Sequence, residues 1–425
     1  MAEVSSTPRK VAILFAGGPA PAANAVISSA ALAFLRNGIE VVGIQHGYSA
    51  FEAFGPESPL VEGQHYVNLD LAAVRRKRNA QGIMIGTART NPGKKVTSLA
   101  DLTDAAKSAP LRQTYDALRS LGVDALVSIG GDDTLKTANK LKLFQDQLPT
   151  DAPRIPVVHL PKTIDNDYCG IDFTFGYFTA VDNLATELRN LLYDAEANRA
   201  YFVAECMGRS AGWLSYGAAI AGEASLVLSV EDIAGELQTT ETTVNEETGK
   251  SETRRIMDGE KVLDRIMSTI LAREKEGKEY GVLVLAEGLV TLLPSEYLEG
   301  VPRDDHGHIK ISQIQLYDLM CRLLAERYEK VTGKQRLFKG LQLGYEARCA
   351  QPTAFDAIMG SQLGFGAYRA LAEEHRNGVM VSIAGQMELI FVEFEKLVDP
   401  QTLVTMVRHI EPDSDFHRLA RILET

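Results

Sequence analysis

Three turns in this chain carry residues suited to handling phosphate, and each follows a short apolar run. The first, Gly17-Gly18, comes after VAILFA (11–16) and before a helix-like stretch at 25–36. Paired glycines let backbone N–H groups approach a phosphate, and a helix N-terminus adds a favourable dipole. A tight structural turn uses the same residues, and the spacing is neither the Walker nor the dinucleotide pattern. The second, Gly130-Gly131-Asp132-Asp133-Thr134, follows ALVSI (125–129). One Asp there serves as a helix N-cap. Two carboxylates beside a phosphate repel it unless a cation intervenes, and Mg²⁺ held by one carboxylate and substrate oxygens answers that. The third, Lys162-Thr163-Ile164-Asp165-Asn166-Asp167, follows PVVHL (156–160). A carboxylate in it can take a proton from an attacking hydroxyl, and Lys162 offers a compact charge to a phosphoryl oxygen. The alternative for this segment is a solvated Asx-rich turn.

Further strand ends add basic and polar groups. Met207-Gly208-Arg209 follows YFVAEC (201–206), Glu287 follows VLVLA (282–286), and Tyr345 and Arg348 lie in GYEAR (344–348). Glu can bind sugar hydroxyls and Arg a phosphate bidentately; each also reads as an ordinary loop ion pair. The run RRKR (75–78) reads as a solvated helix face. Arg89, in GIMIGTAR, reads as following an apolar strand and a glycine turn. Together these are the parts of phosphoryl transfer: positioned phosphates, a cation, charge-neutralising bases and an activated nucleophile.

The elements that must position them alternate. Apolar runs at 11–16, 41–44, 125–129, 156–160, 201–206, 226–230 and 282–286 are separated by helix-like segments at 25–36, 134–144, 176–193, 210–221 and 259–276. That order specifies an α/β fold with mainly parallel sheets, and the absence of polar alternation indicates strands covered on both faces. Seven such strands call for two lobes, with ligands beyond the carboxyl ends of the strands. The stretch 236–258 is polar and reads as a surface hairpin or insertion. A second polar stretch, 299–311, holds Asp304, Asp305, His306 and His308 and reads as an exposed loop rather than a metal site.

The chain has 425 residues, 45% hydrophobic and 24% charged, and a net charge of −12. An acidic surface argues against sequence-independent nucleic-acid binding, which needs a basic footprint. Cys169, Cys206, Cys321 and Cys349 lack C-x-x-C spacing, so reduced thiols and a cytoplasmic location are expected. No signal-like or membrane-spanning run is present, and no membrane partner is expected.

From about residue 10 to 375 the sequence resembles the phosphofructokinase family. The likeness rests on GGPAP (17–21), GGDDT (130–134), PKTIDND (161–167), MGR (207–209), AEG (286–288) and GYEAR (344–348), in family order. It implies two Rossmann-like lobes with the active site in the cleft between them. Residues 8–160 plus about 353–425 would form the phosphoryl-donor lobe, and 161–352 the sugar-phosphate lobe, with an insertion near 236–258. The resemblance makes Asp165 the proton acceptor from the sugar 1-hydroxyl, supported by Asp167, and Asp132 the Mg²⁺ carboxylate. Gly17 and Gly18 would contact the phosphoryl donor. Thr163, Ile164, Asp165, Met207, Gly208, Arg209, Glu287, Tyr345 and Arg348 would bind fructose 6-phosphate, and Arg89 would neutralise the transferring group. Arg199 and Lys339 would reach a neighbouring subunit's sugar phosphate in a homodimer or homotetramer.

Two positions bear on the donor. ATP-using members typically have Gly where Asp133 and Lys162 stand. An aspartate at 133 opposes a polyphosphate chain that continues to a nucleoside, and Lys162 suits a short diphosphate. These residues resemble the diphosphate-dependent branch, with 344–356 in support. The alternatives are an ATP-dependent enzyme or a non-catalytic regulatory chain; the latter should lose the acids that Asp165 and Asp167 retain. One departure is Ala22, where glycine is usual. A left-handed backbone there costs on the order of 1 kcal/mol.

Overall fold

A β-branched run covered on both faces has no polar side to show, and this is how the central strands of the protein are built. The computed structural model describes residues 7–244, 251–298 and 313–424. Its strands are β1 (Lys10–Ala16), β2 (Glu40–Ile44), β3 (Tyr66–Leu69), β4 (Ala125–Gly130), β5 (Val157–Pro161), β6 (Tyr201–Cys206) and β7 (Leu226–Leu228). They continue with β8 (Gln238–Val244), β9 (Ser251–Met257), β10 (Gly281–Ala286), β11 (Phe338–Leu343), β12 (Val379–Ala384) and β13 (Glu388–Glu393). Every residue of β4, β5, β6 and β10 is buried. The helices are α1 (Ala23–Arg36), α2 (Leu71–Val74), α3 (Ala105–Ser120), α4 (Asp132–Asp146) and α5 (Tyr177–Asn198). After them come α6 (Trp213–Ala221), α7 (Gly259–Lys275), α8 (Leu316–Thr332), α9 (Ala354–Tyr368) and α10 (Asp415–Leu423).

The chain divides into two compact units. One holds the residues up to Ile164 with Tyr168–Thr179 and Ala347–Val407; the other holds Asp165–Asp167, Ala180–Glu346 and the residues from Arg408 onward. The sequence division keeps 353–425 in one lobe, whereas α10 joins the second unit. The reason is polar anchoring: Arg421 donates to the Tyr216 hydroxyl (2.8 Å) and the Val227 carbonyl (2.6 Å), and His417 meets Asp232 at 3.2 Å.

In the first unit the sheet order is β13-β12-β5-β4-β1-β2-β3. Its inner five strands are parallel, and β3 and β13 close the edges antiparallel. The connections reverse direction between β1 and β4, so the crevice beyond those two strand ends is where a ligand is expected in an open α/β sheet. In the second unit β11-β6-β10-β7 is wholly parallel, and β8 and β9 form a separate antiparallel pair within 236–258.

Two readings change. Residues 83–86 are a turn, not a strand. Gly82 and Gly86 have φ of 75° and 66°, and Gly86 N–H donates back to the Ile83 carbonyl at 3.0 Å. The RRKR run is exposed but not helical, because α2 ends at Val74 and Arg76 has φ 58°. The stretch from 299 to 311 lies outside the described residues.

Helix α1, which carries the first glycine turn at its start, is held by α9 through small residues. A Cβ on Gly364 would lie 2.1 Å from Ser29 Oγ and 2.5 Å from the Val26 carbonyl oxygen. Backbone atoms cannot move aside as a flexible side chain does, so Gly364→Ala should destabilise the fold by about 1–3 kcal/mol. Chemical denaturation of both proteins measures this.

Candidate active site

In the first unit the register sets Ala16 beside Gly130 and Gly130 beside Pro161. The turns after β1, β4 and β5 therefore emerge side by side. Lys162, only 6% exposed, ties them together. Its N–H donates to the Gly130 carbonyl (2.9 Å), and its ammonium donates to the Gly18 carbonyl (2.7 Å). A Cβ on Gly17 would stand 3.5 Å from Lys162 Nζ, and one on Gly131 3.9 Å. The ammonium thus lies between two glycine turns. Gly17 has φ 89°, a conformation that glycine takes without a Cβ penalty. Arg348 reaches the same place, with its guanidinium carbon 3.7 Å from a Cβ on Gly18. The segment leading to Arg89 is stitched to this turn: Gly17 N–H donates to the Ala88 carbonyl (2.9 Å) and Thr87 Oγ1 to the Gly17 carbonyl (2.7 Å).

Beneath the second turn lies a buried relay. Tyr168 donates its hydroxyl proton to the Gly130 carbonyl (3.0 Å), so its oxygen accepts from His159 Nε2–H at 3.1 Å. Burial pulls the imidazole pKa down to about 3, which keeps His159 neutral. Thr163 and Ile164 are both buried, and the Thr163 carbonyl accepts from Thr174 Oγ1 at 2.6 Å.

Gly131, not an aspartate, is the N-cap of α4, which leaves Asp132 and Asp133 in the first turn. Carboxylates are favoured there by the helix dipole. Both extend into solvent, and Lys136 bridges them at 3.3 and 2.7 Å. Burial lowers the Lys136 pKa, but Asp132 and Asp133 outweigh it and leave it raised. Lys136 was missed from the sequence, although its spacing of three and four residues from the acids is the signal. Among the described residues no three His, Cys, Asp or Glu gather to cage a metal. Two accessible carboxylates beside a phosphate cradle do fit a hard cation that keeps waters and takes substrate oxygens.

In the second unit Cys206, Ala286 and Leu343 are level, which brings Met207-Gly208, Glu287 and Gly344-Tyr345 to one rim. Met207 N–H donates to the Leu343 carbonyl and Gly288 N–H to the Gly208 carbonyl, both at 3.1 Å. Gly344 has φ 140°, and a Cβ there would come within 2.4 Å of Met207 Cγ. Arg209 and Tyr345 are exposed. Arg199 and Lys339 are not at this rim. They stand at the amino end of β6 and β11, where Lys339 lies over the Phe202 ring (5.1 Å) and meets Asp194 at 3.7 Å, and Arg199 is 78% exposed. Arg348 belongs to the first unit with Thr163 and Ile164, whereas Asp165, Met207, Gly208, Arg209, Glu287 and Tyr345 belong to the second.

Asp165 and Asp167 are partly exposed and flank a fully buried Asn166 with φ 55°. Nothing in the local sequence pointed to the residue that holds this turn, Arg408, which is distant in the chain. Glu205 was also missed. It is buried on β6, and desolvation raises its pKa to about 7 although it accepts the Tyr317 N–H at 3.1 Å.

Ala22 has φ 63° and ψ 10° at the start of α1 and offers no side-chain cap. Ala22→Gly should therefore raise the unfolding free energy by about 0.5–1 kcal/mol, read as a shift in the urea midpoint.

Comparison with known proteins gives a consistent result. The family model described as phosphofructokinase matches residues 10–371. The chain is 33% identical to the pyrophosphate–fructose 6-phosphate 1-phosphotransferase of Thermotoga maritima, covering 97% of this chain and 89% of that one. It is 32% identical to the protein of the same name from Naegleria fowleri, over 98% and 88%. A Streptomyces coelicolor protein named ATP-dependent 6-phosphofructokinase 3 matches at 28% identity, over 95% and 99%. Among solved structures, Pichia pastoris phosphofructokinase in the T-state superposes with a TM-score of 0.66 at 22% identity. The match covers 92% of this chain but 35% of the Pichia chain, so the likeness speaks for the fold alone.

Proposed function

The chain belongs to the phosphofructokinase family, and we propose that it transfers a phosphoryl group from inorganic diphosphate to the 1-hydroxyl of fructose 6-phosphate. The observation that carries the donor assignment is the Lys162 ammonium lying between the Gly17-Gly18 and Gly130-Gly131 turns. A compact cation among backbone donors suits a short, highly charged anion. Asp133, projecting from the first turn of α4, opposes a phosphate chain that continues to a nucleoside. Where ATP-using members typically have glycine, this chain has two charges suited to diphosphate.

In this reading Asp165 takes the proton of the sugar 1-hydroxyl as that oxygen attacks the diphosphate, and Asp167 supports it. Lys162 and Arg89 spread the charge that develops on the transferring group, and phosphate leaves. Asp132, with Asp133 beside it, would hold Mg²⁺, which when bound neutralises phosphate charge. Gly17 and Gly18 line the donor site. Thr163, Ile164, Met207, Gly208, Arg209, Glu287 and Tyr345 orient the sugar phosphate. Arg348, whose guanidinium packs beside Gly18, takes the phosphate of the sugar bidentately in the same reading. The reaction is read as reversible. A cytoplasmic homo-oligomer is part of the same proposal, and Arg199 and Lys339, away from the rim of their own sheet, are suited to a neighbour's sugar phosphate. Among the described residues no helix is long and apolar enough to cross a membrane.

Asp165→Ala should lower turnover by at least about a hundredfold, the scale of a positioned general base, with an unchanged thermal midpoint. Coupled assay and calorimetry check the two halves of that statement; full activity in the variant defeats the assignment. The double change Asp133→Gly with Lys162→Gly should sharply reduce the use of diphosphate. Parallel assays with ATP test the steric argument, which expects activity with ATP to rise relative to diphosphate.

A further inference from the structure

The turn that carries Asp165 and Asp167 is met by a residue distant in the chain. Arg408 donates its backbone N–H to the Asp167 carbonyl (2.8 Å) and its guanidinium Nη2 to the Asn166 carbonyl (2.9 Å). The guanidinium is itself fixed: its carbon lies 4.7 Å over the Trp213 ring, and Trp213 Nε1–H donates back to the Arg408 carbonyl at 2.9 Å. The segment beyond is anchored as well. Buried Glu231 accepts the Ile410 N–H (3.1 Å) and the Gly212 N–H (3.0 Å), which docks residues 408–410 against the stretch leading into α6. Asn166, between the two acids, is fully buried in the left-handed region. That conformation costs a non-glycine residue on the order of 1 kcal/mol and persists only where its surroundings impose it. Two consecutive carbonyls claimed by one planar, stacked guanidinium and its own backbone are such surroundings.

We infer that Arg408, clamped on Trp213, is a positioning residue: it fixes the Asp165–Asn166–Asp167 turn and so sets the direction from which the Asp165 carboxylate meets the sugar hydroxyl. The inference rests on the reading of Asp165 as the proton acceptor. Through the Asn166 and Asp167 carbonyls Arg408 bears on the orientation of the turn rather than on the groups that bind the substrate. A misaligned base loses rate while the binding groups on the β6, β10 and β11 ends stay in place.

The test compares the full chain with Arg408→Gln, Arg408→Lys and Asp165→Asn. Turnover and KM are measured with diphosphate and fructose 6-phosphate, together with thermal midpoints and the emission of Trp213, the chain's one tryptophan. Arg408→Gln should shift that emission and lower kcat about tenfold or more, while both KM values stay within about twofold. Arg408→Lys keeps the charge but not the planar fork, and should fall in the same direction; it carries the comparison if the glutamine variant does not fold. A kcat within about twofold of the parent despite a shifted Trp213 emission would overturn the inference. So would kcat and KM worsening together with a lowered midpoint, which marks a general structural role. If Asp165→Asn is inactive and the Arg408 variants are not, only the clamp fails. If Asp165→Asn keeps turning over, the base assignment fails and the clamp with it.

Discussion

A lysine ammonium that is almost sealed from water needs negative charge around it, and the first unit is organised by that requirement. Removing an ammonium from water costs several kcal/mol unless polar groups replace its hydration. The Gly18 carbonyl supplies one such group to Lys162, at 2.7 Å. The glycines at 17 and 131 keep side chains out of the space around it. The register of β1, β4 and β5 brings the three turns level, and the Tyr168–His159 relay props the middle one from below.

The second unit works on the same plan with different chemistry. Its level strand ends present backbone, a carboxylate and an aromatic rather than a buried cation, which suits the polar sugar body of the proposed substrate. Gly344 is confined to glycine by Met207, and the acid turn by Arg408 and a left-handed Asn166. The acid turn is thus met by Arg408, far away in the chain, through the Asn166 and Asp167 carbonyls.

Much of this was legible from residue order. The central strands and their covering helices follow from unbroken apolar runs, and both glycine turns, Lys162 and the acid turn stand at strand ends as read. The edge strands β3, β11 and β13 were not seen, since short, half-exposed segments carry little apolar signal, and the buried inner strand β12 was missed as well. The apparent strand before Arg89 was a false one: the apolar run in GIMIGTAR is bracketed by two glycines with positive φ, and the turn they make overrides β propensity. Arg348 reads from the sequence as a sugar ligand, and where its long side chain lies, beside Gly18, is not legible from the motif alone. Arg408, Lys136 and Glu205 act through tertiary proximity or helix spacing, and no motif announces them.

The central claim is that this phosphate cradle is built for diphosphate. Its most direct measurement is the rate of fructose 1,6-bisphosphate formation by the unmodified protein with diphosphate or with ATP as sole donor, at equal magnesium. Rapid formation with diphosphate and little with ATP is the expected result. Efficient turnover with ATP and none with diphosphate would contradict the account of Lys162 and Asp133.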